Sequence, residues 1–496
     1  MHENMLNIKN LIKTNEERFG GGAERFGVPR SPPPRRVVKT RQQMDYELAL
    51  EAKARYKLRV DPETNRVDRQ DKTLIFESRF ESGNLYLAQK VSDHEYNLLM
   101  QNDINTSGHT QWFYYQVKNT RKNMTCTFNI MNFTKPDSLF NYGMKVSIYS
   151  EKKAAGVDPN APDLGYAQAS PEAQKEGGPP TPGEAPKPGQ GMGWFKGGER
   201  ISYFANGIKK DITYTSKGYF TASFTYKFTH DDDVVYFAYC CPYTYTDCMQ
   251  DIYEVESDPE RRKICSRKTL CKTLAGVDCD ILTITEKGDF EAMQAKRAVV
   301  ISARVHPGEV VGSWMMRGVL WFLTDPANEE ARMLREKFIF KIIPMLNPDG
   351  VINGNYRCSL AGCDLNRRWK TPHKQLHPTI FHTKKLIGDI HKERGLILYC
   401  DLHGHSRKQN VFMYGCNNTR KPEECRVFPL ILSKLSKFFH FGSCRFGVQK
   451  SKESTARVSM YKELKTCPNI FTMESTFSGL DMGERKGQHM TTFDFE

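Results

Sequence analysis

An N-terminal antiparallel β-sandwich followed by an α/β domain with a mixed, mostly parallel sheet is the architecture this sequence predicts. Three observations predict it. Short aromatic-rich segments of strand character fill the region from about residue 72 to 240, with no long helix-period stretch between them. From about residue 241, apolar strands alternate with helical stretches, the pattern of a sheet covered by helices. The chain has 496 residues, 39% of them hydrophobic and 26% charged, enough to bury large cores.

Residues 1–71 read as an extension. Gly20-Gly21-Gly22 and the Pro29-Arg30-Ser31-Pro32-Pro33-Pro34-Arg35-Arg36 stretch cannot build a core and predict a flexible basic arm, with a short surface helix at 44–57. Residues 72–240 predict the sandwich, with strands at 74–76, 112–117, 126–130, 146–149, 219–228 and 234–239. Within it, residues 154–193 hold eight prolines and eight glycines in 40 residues, the composition of a disordered insertion in a sandwich loop.

Residues 241–496 predict the α/β domain. Val299-Val300-Ile301 is a buried-type strand, followed by a helix at 311–323. A second strand at 338–346 ends in Asn347-Pro348-Asp349-Gly350, a strong turn signal. A helix at 382–394, a third strand at 396–400 and a fourth at 470–473 complete the pattern. Sites in such sheets gather at the carboxyl ends of the strands.

Composition narrows the class. No run of 18 apolar residues occurs, and Glu3, Lys9, Lys13, Glu16 and Glu17 interrupt any apolar stretch near the start. Neither a membrane span nor a secretory signal is therefore expected. Fourteen scattered cysteines predict reduced thiols and a cytoplasmic protein. The balance of 72 basic and 58 acidic side chains, +14, favours acidic partners. No helix-turn-helix, zinc-finger or RNA-recognition signature accompanies that charge, so no nucleic-acid partner is expected. No Gly-x-x-x-x-Gly-Lys-Ser/Thr loop exists, so no NTPase activity is expected.

Candidate chemistry starts at Arg304-Val305-His306-Pro307-Gly308-Glu309, where a His and a Glu three apart follow a strand end. Among 13 histidines about one such pair arises by chance, so alone it is weak and equally suits a helix-capping turn. Asp401-Leu402-His403 at the end of another apolar strand changes the balance, because a third ligand would project into the same crevice. Two His and one Glu leave zinc an open fourth position, the mark of a catalytic site. Glu474 follows a further apolar strand, where a carboxylate could take a proton from zinc-bound water and pass it to a leaving amine. Arg357 and the Asp364-Leu365-Asn366-Arg367-Arg368 run could grip a carboxylate or an oxyanion, or simply form a solvated basic surface.

Together these segments resemble the zinc metallocarboxypeptidases, most closely their cytosolic carboxypeptidase branch, which trims glutamates from tubulin. Further likenesses are Phe76-Glu77-Ser78-Arg79-Phe80-Glu81-Ser82-Gly83-Asn84-Leu85, His109-Thr110-Gln111-Trp112 and Asn132-Phe133-Thr134-Lys135-Pro136. The resemblance implies a carboxypeptidase-like α/β domain, one Zn2+ per chain held by His306, Glu309 and His403, and Glu474 as general base. It assigns Arg357 to the scissile carbonyl, Asn366 and Arg367 to the substrate's terminal carboxylate, and Asp364 to the far nitrogen of His306. Arg457 looks like the basic residue that selects an acidic side chain.

The activity implied is removal of C-terminal or side-chain-linked glutamates from polyglutamylated tubulin and other acidic tails, by zinc-hydroxide attack. A cytoplasmic monomer, found with microtubules, centrioles or cilia, is the matching expectation. The alternatives are a catalytically impaired tubulin-binding protein and removal of a different terminal residue such as Tyr. Two departures from the family pattern stand out. No mobile tyrosine aligns upstream of Glu474, where Lys452 lies instead. The chain also stops 22 residues after Glu474, where the family continues with a helix that packs on the sheet, so a C-terminally truncated domain is expected.

Overall fold

The computed structural model describes residues 71–156, 193–209, 218–418 and 420–496. The basic arm with its helix at 44–57, and most of the Pro/Gly-rich insertion, lie outside these residues. Among the described residues no helix is long and apolar enough to cross a membrane.

Among the described residues ten strands build the sandwich: β1 (Ile75–Glu77), β2 (Leu85–Ser92), β3 (Glu95–Met100), β4 (Tyr114–Lys118), β5 (Thr125–Phe133), β6 (Val146–Ser150), β7 (Phe195–Gly197), β8 (Glu199–Lys209), β9 (Gly218–Lys227) and β10 (Val235–Ala238). They form two five-stranded sheets, β1-β4-β10-β6-β7 and β2-β3-β5-β9-β8. All pairs are antiparallel except β3 with β5. Alternation makes the core: β5 turns Cys126, Phe128 and Ile130 inward. Phe128 packs on Phe237 with ring centroids 5.1 Å apart, and Tyr115 stacks on Phe237 at 5.5 Å. Such aromatic contacts add about 0.5–1.5 kcal/mol each beyond area burial.

Seven further strands form a third sheet: β11 (Cys265–Lys272), β12 (Asp278–Ile284), β13 (Arg297–Ala303), β14 (Phe338–Ile343), β15 (Leu396–His405), β16 (Val411–Tyr414) and β17 (Ile470–Thr476), in the order β11-β12-β14-β13-β15-β17-β16. The four central strands β14-β13-β15-β17 run parallel, and β11, β12 and β16 are antiparallel to their neighbours. The longer helices are α1 (Tyr245–Ser257), α2 (Val311–Thr324), α3 (Glu329–Lys337), α4 (Pro378–Arg394), α5 (Glu424–Leu435) and α6 (Ala456–Leu464). Strand alternation feeds two cores. Val299 and Ala303 of β13 face a cluster shared with α1, α2 and α5, while Ala298 and Val300 face Ile380, Ile387 and Met460 of α4 and α6.

Two strands run further than apolar character alone predicts. β15 continues to His405 and β17 to Thr476, so Asp401, His403 and Glu474 lie inside strands and not after them. Ladder bonds between β15 and β17, and between β16 and β17, carry these polar residues in extended backbone. The last turn, Thr492–Phe495, packs on α2, with Arg317 Nη1 donating to Glu496 Oε1 at 2.8 Å. Phe495 forms one wall of a mostly apolar cavity of about 320 Å³, lined also by Val319, Leu398, Leu402, Phe428 and Met473.

The sandwich is fastened to the α/β layer. Val310, Val311, Tyr356 and Phe477 join the sandwich core. Glu81 Oε1 accepts from the Tyr245 and Thr246 N–H groups at 2.6 and 3.1 Å, holding the start of α1, and Ser82 Oγ donates to the Val351 carbonyl at 2.7 Å.

Candidate metal centre

The centre sits at the carboxyl ends of β13, β15 and β17. After β13 the chain reverses at Arg304, whose φ is 59° and whose buried guanidinium holds the turn by donating to Pro307 O, Tyr243 O and Ser313 Oγ at 2.9, 2.9 and 2.7 Å. Gly308 is required by close approach. A Cβ there would lie 2.7 Å from Tyr356 Cδ2, and its N–H donates to the Tyr356 carbonyl at 2.8 Å. This loop delivers His306 and Glu309. Parallel pairing of Ala303 with Leu402 places His403 beside them, and pairing of His403 with Glu474 places the second carboxylate on the adjoining strand.

His306, Glu309 and His403 are all buried, with one ligand atom from each lying within 4.8 Å of the others. Glu309 Oε1 is 2.9 Å from His306 Nδ1, and Oε2 is 2.9 Å from His403 Nδ1. Beyond this close approach to Glu309, His306 Nδ1 has no hydrogen-bond partner among the described residues. A buried, unpartnered imidazole nitrogen converging with a second imidazole and a carboxylate fits a cation, and the His2Glu donor set fits zinc. The outer nitrogens fit as well. His306 Nε2 meets Asp364 Oδ1 at 3.1 Å, and His403 Nε2 meets Asp401 Oδ2 at 2.7 Å, so each ring offers its Nδ1 lone pair inward.

The field of the site favours positive charge. Burial alone would raise the carboxyl of Glu309, but His306 and His403 outweigh it and hold the group well below the usual range. Burial opposes charge on His403, yet Asp401 and Glu309 together raise it well above its ordinary value. Asp364 is likewise kept low against its own burial by His306, Arg357 and Arg367. Glu474 behaves oppositely. Burial pushes its carboxyl up to about 7, with Glu309 adding to the rise and His403, His306 and Arg357 resisting it.

The remaining candidates gather on the loop after β14. Arg357 donates Nε to Asp364 Oδ2 at 2.7 Å, with Nη2 at the same distance. Asn366 accepts the Ala456 N–H on Oδ1 at 2.9 Å, which fixes the amide orientation and leaves Nδ2 as a donor, 3.5 Å from His403 Nε2. Arg367 Nη1 donates to the Asn366 carbonyl at 2.9 Å and lies 3.9 Å from Asp364. Arg457 is placed differently from these. It is buried at the start of α6, its guanidinium donating to the Gly415 carbonyl and lying 3.2 Å from Cys416 Sγ. Lys452 is half-buried, its ammonium disfavoured by burial and then by Arg367 and Arg357.

Sequence reasoning gave no role to Asp401, although Asp401-Leu402-His403 on one strand puts the two side chains on one face. Asp103 and Lys135, which reach this loop from the sandwich, were also missed. Lys135 Nζ contacts Tyr356 OH and Ser406 Oγ and stands 4.6 Å from the centre of the Tyr356 ring.

A covered α/β sheet bearing a His2Glu cluster at its carboxyl edge defines a chain able to hold one metal ion where sites of such sheets gather. Comparison with known proteins sharpens that class. The zinc carboxypeptidase family model matches residues 257–440, and the cytosolic carboxypeptidase N-terminal domain matches residues 76–154. The chain belongs to the zinc carboxypeptidase family, in its cytosolic carboxypeptidase branch. It is 45% identical over 428 residues to cytosolic carboxypeptidase 2 of Xenopus tropicalis, covering 85% of this chain and 40% of that protein. Against cytosolic carboxypeptidase 3 of Mus musculus it is 43% identical over 438 residues, covering 87% and 39%. The chain thus spans about two fifths of the length of these curated relatives. A crystal structure of a metallo-carboxypeptidase from Burkholderia cenocepacia shares the fold, with a TM-score of 0.63 at 21% identity over 85% of this chain and 95% of that one.

Proposed function

We propose that this chain is a zinc-dependent carboxypeptidase that removes glutamates, C-terminal or side-chain-linked, from acidic protein tails, with polyglutamylated tubulin in the cytoplasm as the substrate. The observation that carries the reading is the convergence of His306, Glu309 and His403 within 4.8 Å, with Glu474 paired across the strands from His403. When bound, zinc is a Lewis acid that acidifies a water and polarises a carbonyl.

The side chains supply the rest. Glu474, half-buried beside the cluster, accepts a proton from the attacking water and returns it to the leaving amine. Arg357 is held at one end by Asp364 and offers its remaining N–H groups to the developing oxyanion. Asn366 Nδ2 and the Arg367 guanidinium take the terminal carboxylate, which restricts cleavage to the last peptide bond. The net charge of +14 and the half-buried Lys452 ammonium support an acidic substrate.

The test is mass-spectrometric digestion of synthetic peptides ending in several glutamates, in a γ-linked glutamate branch, or in Tyr, Phe or Lys. Each is run with and without a zinc chelator and beside Glu474→Gln. Chelator-sensitive release of glutamate is expected, with turnover lowered by roughly 10³-fold or more in the variant while zinc stays bound. Undiminished turnover by Glu474→Gln removes the general-base assignment, and preferential release of Tyr, Phe or Lys removes the glutamate assignment.

A further inference from the structure

One buried carboxylate of the sandwich grips the backbone of the loop that carries Arg357. Asp103 lies in the connection between β3 and β4 and is 3% exposed. Its Oδ1 accepts the Tyr356 N–H at 2.6 Å, and its Oδ2 accepts the N–H groups of Arg357 and Cys358 at 2.7 Å each. Three successive backbone donors turned onto one carboxylate form an anion-binding nest, here filled from another domain's side chain. Neighbouring residues interlock on both sides. The Ile104 N–H donates to Asn355 Oδ1 at 3.1 Å, and Asn105 Nδ2 donates to the Leu360 carbonyl at 2.7 Å.

The loop so held touches both halves of the proposed centre. Its Tyr356 carbonyl receives the Gly308 N–H of the turn that presents His306 and Glu309. Its Arg357 side chain shares Asp364 with His306 Nε2. A shift of this loop therefore moves the guanidinium and the outer partner of a metal ligand together.

Resting on the carboxypeptidase reading above, we propose that Asp103 is a positioning residue for the reaction: it sets the Arg357 loop, so the sandwich is part of the catalytic apparatus. Charge is needed as well as shape. An amide at this position keeps one acceptor and turns the other toward N–H groups as a donor, leaving donors unpaired. Misplacing a group that stabilises the transition state by about 1 Å can cost on the order of 10²-fold in rate.

The test uses the full zinc-loaded chain with Asp103→Asn and, as control, Ser82→Ala. The control removes a bond across the same interface, Ser82 Oγ to the Val351 carbonyl, without removing any bond to residues 355–358. Two readouts are taken: amide hydrogen exchange over residues 355–358, and kcat against KM on a glutamate-terminated peptide. Asp103→Asn should exchange faster at these amides and lose kcat on the order of 10²-fold, with KM and zinc content little changed. Ser82→Ala should leave both readouts near wild type even where its melting temperature falls. Unchanged exchange in Asp103→Asn, unchanged kcat beside faster exchange, or equal loss of kcat in the control each overturns the proposal. If the wild-type chain releases no residue from any peptide, the carboxypeptidase reading fails, and the positioning role for that reaction falls with it. The exchange readout then separately tests whether Asp103 holds the loop.

Discussion

Asp401→Asn should weaken zinc binding more than Asp364→Asn, although each carboxylate faces the outer nitrogen of one histidine in the cluster. Asp401 is fully buried; Oδ2 lies 2.7 Å from His403 Nε2, and among the described residues Oδ1 accepts the Ser302 hydroxyl, at 2.7 Å. Its charge is directed almost undivided at the imidazole. Asp364 meets His306 Nε2 at the longer distance of 3.1 Å and shares its charge with Arg357 at 2.7 Å and Arg367 at 3.9 Å. Loss of a carboxylate behind a metal-bound histidine typically costs 10–100-fold in affinity, or about 1.4–2.7 kcal/mol. Asp401→Asn is expected near the upper end of that range and Asp364→Asn near the lower end. The order should reverse for turnover, because Asp364→Asn also releases Arg357. The assay is competition for zinc between the full-length variants and a chromogenic chelator at neutral pH, with the zinc-free melting temperature as a folding control. The reasoning is refuted if Asp364→Asn loses more zinc affinity than Asp401→Asn, or if Asp401→Asn stays within about threefold of wild type.

Two other expectations concern Arg457 and His377. Arg457→Ala should lower the preference for peptides ending in glutamate over those ending in Tyr by about tenfold or more in kcat/KM. An unchanged ratio would leave Arg457 with only its structural bonds to Gly415 and Cys416. His377 is pushed down to about 4 by burial, with Arg368 and His373 adding to the effect, so the unfolded chain binds its proton first. Stability from this group is full above about 6.5 and is lost as pH falls toward 4, by at most about 2 kcal/mol near pH 5. Urea unfolding of wild type and His377→Gln at pH 7 and 5 checks it; an identical drop in both proteins would contradict the assignment.

Legibility along the chain followed burial. The central strands β13, β14, β15 and β17 read clearly because both their faces are covered and their sequences are apolar. Edge strand β11 escaped notice: only one side is paired, and Ser266, Lys268 and Thr269 face outward or partly so. β2 and β8 are similarly half-exposed, helices α1, α3 and α6 are short or marked by few apolar positions, and Pro429 inside α5 argues against a helix there. At the centre, His306 and Glu309 stand three apart in one turn, and His403 ends an apolar run, so local pattern was enough to single them out. Asp103 carries no such mark, because its meaning comes from three N–H groups on another domain.

The sequence by itself determined the apolar central strands, and which side chains can bind metal or move protons, because periodicity and donor chemistry are properties of near neighbours. It also determined family membership, since the family matches rest on stretches of 79 and 184 residues, taken from 76–154 and 257–440. Only the tertiary structure decided that His403 faces Glu474, that Asp401 backs His403, and that a sandwich carboxylate holds the Arg357 loop. The Asp103 bonds span 253 to 255 positions of chain. Contacts across that separation depend on how whole layers pack, and no local pattern around Asp103 encodes the partner that packing brings to it.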